Sequence, residues 1–212
     1  MKLTWLLLLA LLIGASLPKA PPVHVTFSSL TKEAYLTAKK TAVVTKPKVT
    51  FPLKKQKGRI VIPTVKGQKV FQDKGIGTDD SEQGEYIYLG YLPQFEYHTV
   101  EAHLWERTQW FLLDKQGRQL AFYDAPLYSP DAKSFVVASP GIEYGVYPNE
   151  ILLYRFENHH WREIWKVEPS VEPATWEPNE ICWLSNSTLL LQKKMWGGRK
   201  PGSFTYAKLE IR

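Results

Sequence analysis

The 212-residue chain has a single cysteine, Cys182, so it can form no internal disulfide, and stability has to come from packing. Its leading apolar run, Leu3 to Leu17, is 15 residues long, short of the roughly 20 that a helix needs to cross a bilayer core. No permanent transmembrane span is therefore expected. No serine stands in a Gly-x-Ser-x-Gly elbow, so the signature of a nucleophilic serine is missing. No recognition-helix or zinc-finger pattern is present either, and nucleic acid is not an expected partner.

What the short apolar run does match is a leader. Lys2 precedes the leucine-rich segment Leu6 to Ile13, and the small residues Gly14, Ala15 and Ser16 follow, which is the order of a signal peptide. Cleavage is expected after Ser16, with Ala15 and Ala20 as alternatives, and the product is expected to be secreted or periplasmic. No cysteine is placed there to carry a lipid. Roughly 195 residues remain, enough for one domain with a sizeable core. Cys182, between Ile181 and Trp183, reads as a buried and inert thiol.

The net charge of +6 is unevenly distributed. From Leu17 to Gly75 there are 13 Lys and Arg against only Glu33 and Asp73, whereas from Ile76 to Arg212 there are 13 against 19 acidic residues. A basic arm on a mildly acidic body implies self-association, or attraction to an anionic envelope surface such as lipid head groups or cell-wall polymer. The plainer reading is a flexible lead-in solvated by its lysines.

The expected organisation is a signal peptide over 1–16, a basic extended or partly helical lead-in over 17–57, and one β-rich domain over 58–212. Pro18, Pro21 and Pro22 forbid a continuous helix after the leader. Within Leu30 to Val44 a short helix is predicted, capped by Thr31 with Glu33 in the first turn. Arg59 to Pro63 and Val70 to Phe71 read as the first strands. From Glu85 onward the pattern is all-β, with short aromatic and β-branched runs between turn residues. Val100, Ala102 and Leu104 share one parity, which predicts a strand with one buried face, and Trp110 to Leu113 is apolar throughout, which predicts a strand covered on both. Hairpins are expected between 109–113 and 119–123 around Gly117, and between Ile151 and Val167 around Asn158, with Thr188 to Gln192 and Phe204 to Ile211 closing the chain.

Ser129-Pro130-Asp131-Ala132-Lys133 resembles the Ser-Pro-Asp-Gly-Lys turn of WD40-like repeats such as TolB-type β-propellers, with Ala132 at the family's glycine. Ser185-Asn186-Ser187 is similar to a degenerate second copy, 56 residues on. The resemblance covers residues 85–212 and implies antiparallel β-meander repeats, as a propeller or partial propeller, with an open stack of β-meanders or a sandwich as the rival. The turn is structural and carries over no functional residue.

Candidate sites are sparse. His98 and His103 are five apart in a predicted strand and point to opposite faces, and His159 and His160 share a hairpin tip, so no metal site is expected. Asp73, Asp79, Asp80, Glu82 and Glu85 form an acidic loop without EF-hand spacing. Glu96, Glu101, Glu106, Asp114 and Glu143 are the carboxylates from which a hydrolase pair would be drawn. No catalytic residue and no cofactor is assigned. Eight tryptophans are the remaining signal: Trp105, Trp161, Trp176 and Trp196 are candidates for an exposed surface that stacks on sugar rings or a protein partner. The sequence thus points to a secreted, non-enzymatic β-repeat protein that binds protein or glycan. Its alternatives are a secreted carboxylate-dependent hydrolase and a structural envelope component held by the basic arm.

Overall fold

The computed structural model describes residues 23–79, 81–142, 145, 147–169, 175–197 and 200–212. The expected signal peptide, its cleavage site and the prolines at 18, 21 and 22 lie outside the described residues, as do Asp80 and Glu143. The elements in chain order are β1 (Val25–Leu30), α1 (Lys32–Lys39), β2 (Arg59–Thr64), β3 (Gly67–Gln72), β4 (Gly84–Leu92), β5 (Tyr97–Leu104), β6 (Arg107–Asp114) and β7 (Gln119–Phe122). They continue as β8 (Leu127–Tyr128), β9 (Ser134–Ser139), β10 (Glu150–Glu157), β11 (His160–Val167), β12 (Trp176–Ser185), β13 (Thr188–Met195) and β14 (Phe204–Ile211).

The fold is all-β. Three four-stranded antiparallel meanders have the orders β4-β5-β6-β7, β8-β9-β10-β11 and β12-β13-β14-β1, and β2-β3 forms a separate hairpin. Three apolar clusters show how they stack. Ile60, Ile62 and Phe71 of the hairpin meet Val100, Ala102, Phe111 and Leu113 of the first meander. On its other face Leu92, Tyr97, Leu112 and Phe122 meet Phe135, Val137, Tyr154 and Trp161 of the second meander. The second meander then turns Val136, Ile151 and Leu153 toward Ile181, Trp183, Leu189, Leu191 and Leu209 of the third. The outer face of the third is covered by α1, whose Tyr35 is 1% exposed, stacks on Tyr206 and donates its hydroxyl to Glu180 Oε2 at 3.0 Å.

Local signals account for most of these elements. Thr31 caps α1, its side chain accepting from the Ala34 N–H at 3.1 Å. Trp110 pairs with Phe122 and Leu113 with Gln119, with Gly117 at φ +82° in the turn. Ile151 pairs with Val167, and both Asn158 and His159 have positive φ at the tip. In the Ser129 turn, the Ser129 hydroxyl donates to Asp131 and accepts from the Ser134 N–H at 3.0 Å. Ala132 sits at φ +57°, the left-handed conformation that the resemblance assigned to a glycine. The Asp131 N–H donates to Asn186 Oδ1 at 2.9 Å, so the two turn copies touch.

The residues 23–57, expected as a lead-in apart from the β domain, are woven into it. The third meander has only three strands of its own, and β1 supplies the fourth along β14, from Val25 opposite Ile211 to Leu30 opposite Tyr206. After α1 the chain runs extended across the stack and touches the first strand of each meander in turn. Val43 bridges Trp183 of β12, Thr45 bridges Tyr128 of β8, and Thr50 bridges Tyr91 of β4. This strap covers edges that would otherwise present bare N–H and C=O groups, and Pro47 and Pro52 keep it extended without adding donors.

The strap needs a gap at Gly90, which lies at φ +116° beside an irregularity in the β4–β5 register. A Cβ there would stand 2.2 Å from Val49 Cγ1 and 2.9 Å from the Thr50 carbonyl. Gly90→Ala is expected to cost about 2–4 kcal/mol through the combined clash and backbone strain. Urea unfolding of the two proteins measures it; equal midpoints would mean that the strap does not need this gap.

Candidate functional site

The four candidate tryptophans do not form one surface. Trp105, at the β5–β6 turn, is 42% exposed and lines a hollow of about 470 Å³ with Ser81, Gln83, Glu106 and Arg107. Trp161 is a correction: it lies between the first and second meanders, ringed by Phe95, Phe135 and Phe156. Alternation along β11 turns its indole inward, where burial outweighs any role at the surface. Trp176 is half-buried beside Phe27, with the Lys193 ammonium 5.1 Å from its ring centre. Trp196 is also half-buried, with Lys194 over its ring at 4.5 Å.

Three of the candidate carboxylates, Asp114, Glu96 and Glu101, are engaged in holding turns and strands. Asp114 is buried and receives both the backbone N–H and the guanidinium of Arg118 across the β6–β7 turn. Glu96 pairs with Lys115 and Glu101 with His103. In the acidic loop Asp73 accepts from the Tyr86 N–H and pairs with Lys55, while Glu82 pairs with Lys74. Among the described residues no three His, Cys, Asp or Glu side chains converge as a metal set, and no helix is long and apolar enough to cross a membrane. Cys182 is half-buried rather than fully buried, and burial holds its thiol up, in the protonated form.

The feature with the largest chemical content is the strap, which lies in the basic segment expected either as a solvated lead-in or as an arm toward an anionic envelope surface. Lys46, Lys48 and Lys54 are exposed along it, with Lys40 before it and Lys57 after it, and none of the five is in an ion pair among the described residues. Between them stand exposed apolar side chains, Val44 at 80% and Phe51 at 67%, together with Val43 and Val49. Cations alternating with open apolar groups have the composition of a surface that lies against an anionic interface.

Two features anchor this surface. The Gln94 side-chain amide spans the backbone of Lys48, 3.3 Å from both its N–H and its carbonyl. Phe51 meets the edge of Tyr88, whose hydroxyl lies 2.8 Å from His98 Nδ1, and Tyr91 stacks against the same imidazole at 4.7 Å. Burial pushes the Tyr88 phenol up to about 12 and lowers the His98 imidazole from its ordinary 6.5.

Beneath the strap, between the first and second meanders, is a cleft of about 300 Å³. Leu89, Leu92, Trp110 and Leu112 form one wall, Ala125, Pro126 and Tyr128 another, and Thr45, Lys46, Pro47 and Val49 of the strap close it. Its composition could not be foreseen from any local motif, since the lining comes from five separate stretches of chain.

The lowered His98 pKa makes a pH prediction with a definite sign. The unfolded chain takes up a proton on this imidazole near 6.5 while the folded chain does not, so stability is full above that value and falls as pH drops through it. The melting temperature is expected to fall between pH 7.5 and 5, and His98→Gln is expected to flatten part of that fall. Identical pH profiles for the two proteins would assign the effect to other groups. No protein-family model matches the chain, and no curated protein matches it.

Proposed function

We propose that the chain is a secreted, non-enzymatic binding protein that attaches to an anionic lipid surface through the strap. The observation that carries this reading is the row of lysines without an ion pair among the described residues, interleaved with exposed Val44 and Phe51 on a segment pinned to all three meanders. Lysines near an anionic bilayer contribute about 1 kcal/mol each, and adjacent apolar side chains gain by entering the head-group region. The apolar members favour lipid over a soluble cell-wall polymer, which would meet the lysines alone. The acidic balance of residues 76–212 is suited to facing away from such a surface. Secretion rests on the leader at 1–16, and kinship with WD40-like repeats rests on the paired turns at Ser129 and Ser185; both are part of this proposal.

A second reading follows from Trp105 alone among the candidate tryptophans. An indole this open, flanked by Gln83, Glu106 and Arg107 in one hollow, offers a stacking face with hydrogen-bonding groups beside it, as a glycan site requires.

The two readings are tested separately. The triple variant Lys48→Gln, Lys54→Gln, Lys57→Gln is expected to weaken binding to phosphatidylglycerol vesicles by about two orders of magnitude, with little change in melting temperature. Binding of the unaltered protein is expected to fall as salt rises; wild-type affinity in the triple variant would sink the lipid reading. Trp105→Ala is expected to abolish retardation in gels containing soluble polysaccharides, and absence of retardation in the unaltered protein would remove the glycan reading.

A further inference from the structure

We propose that the cleft beneath the strap is a binding site for a small amphiphile with one unbranched apolar chain and a carboxylate head, such as a medium-chain fatty acid. This goes beyond surface attachment and holds whether or not the strap sits on a membrane.

Size, lining and charge each point to this occupant. At about 300 Å³ the cleft has room for about ten groups the size of a water molecule, which suits one chain of about ten carbons and is too small for the two chains of a bilayer phospholipid. Its walls are apolar from three sides, through Leu89, Leu92, Trp110, Leu112, Pro126 and Val49. A pocket of this kind takes its specificity from a few polar groups, and two here have no partner among the described residues. Lys46 contributes to the lining, is exposed, and has no ion pair. Tyr128 lines the same cleft, and its hydroxyl makes no hydrogen bond to any described residue. A carboxylate beside the Lys46 ammonium would pair with it, and the chain would lie along the apolar wall. The carboxylate is preferred to a neutral head because Lys46 is the only charged residue in the lining.

The strap gives this site its closing wall. Thr45 is fixed to Tyr128 and Thr50 to Tyr91, so the intervening residues 46–49 are held at both ends across the cleft. Gln94 holds Lys48 from the protein side, and the flanking Pro47 and Val49 line the cleft.

Calorimetric titration of the full chain with decanoate tests the proposal. Saturable binding with one decanoate per chain is expected, about 15-fold weaker for octanoate because each methylene is worth about fourfold. Lys46→Gln is expected to weaken decanoate about threefold to fivefold and to leave decanol unchanged. Ala125→Phe fills the cleft and is expected to remove binding while the circular dichroism spectrum and melting temperature are retained; Leu89→Trp is a second plug should the first variant fail to fold. Binding that survives both plugs, absence of saturable binding, or no dependence on chain length would overturn the proposal. Failure of the triple lysine variant to alter vesicle binding would leave the decanoate result untouched, so the two readings fail independently.

Discussion

Coverage of both faces of the four-stranded sheets is the constraint on which this structure depends. In β6, Phe111 and Leu113 face the β2-β3 hairpin while Leu112 faces the second meander, so neither side of that sheet can be left in water. Burying each such side chain is worth about 1.5–3 kcal/mol, and without disulfides this is the main stabilising term available. The meanders therefore stack, and the two outer faces of the stack must be closed by something else. The N-terminal third does this at both ends, with α1 on the third meander and the hairpin on the first. The chain between those two caps has to travel the full depth of the stack.

That route explains the strap. A segment crossing the first strand of each meander satisfies part of an exposed edge, and it does so with one bridge per sheet rather than a full ladder. Its side chains are thus free to serve another purpose. The lysines and open apolar groups cost little there, because the strap is held by backbone hydrogen bonds, by Gln94 and by the close fit at Gly90. Because the strap meets each sheet at a single bridge, it roofs the cleft between the first and second meanders without filling it. The proposed surface for anionic lipid and the proposed cavity for an anionic amphiphile would both follow from this one route of the strap.

The fold was legible where its signals are local. The 109–123 and 151–167 hairpins follow from Gly117, Asn158 and the apolar runs that flank them, and the helix follows from Thr31 and Glu33, all within a few residues of what they organise. The positive φ at Ala132 was legible only through the resemblance, since alanine itself gives no such signal. The candidate site was far less legible. Trp161 and Trp105 are the same residue type near β turns, yet one is packed among Phe95, Phe135 and Phe156 and the other stands open. Their difference is set by a neighbouring sheet, which no window of sequence around either residue contains.

By itself the sequence determined the all-β class, the 109–123 and 151–167 hairpins of the first and second meanders, the short capped helix and the imbalance of charge between the first third and the rest. These depend on backbone preferences and side-chain alternation that act over a few residues. Tertiary structure alone decided that β1 would complete the last meander, that residues 43–56 would form a strap, and that Leu89, Trp110 and Pro126 would enclose a cleft with Lys46. Those outcomes depend on which apolar face and which open strand edge still lacked a partner once the meanders had formed, and partners 180 residues apart leave no periodic trace in the chain.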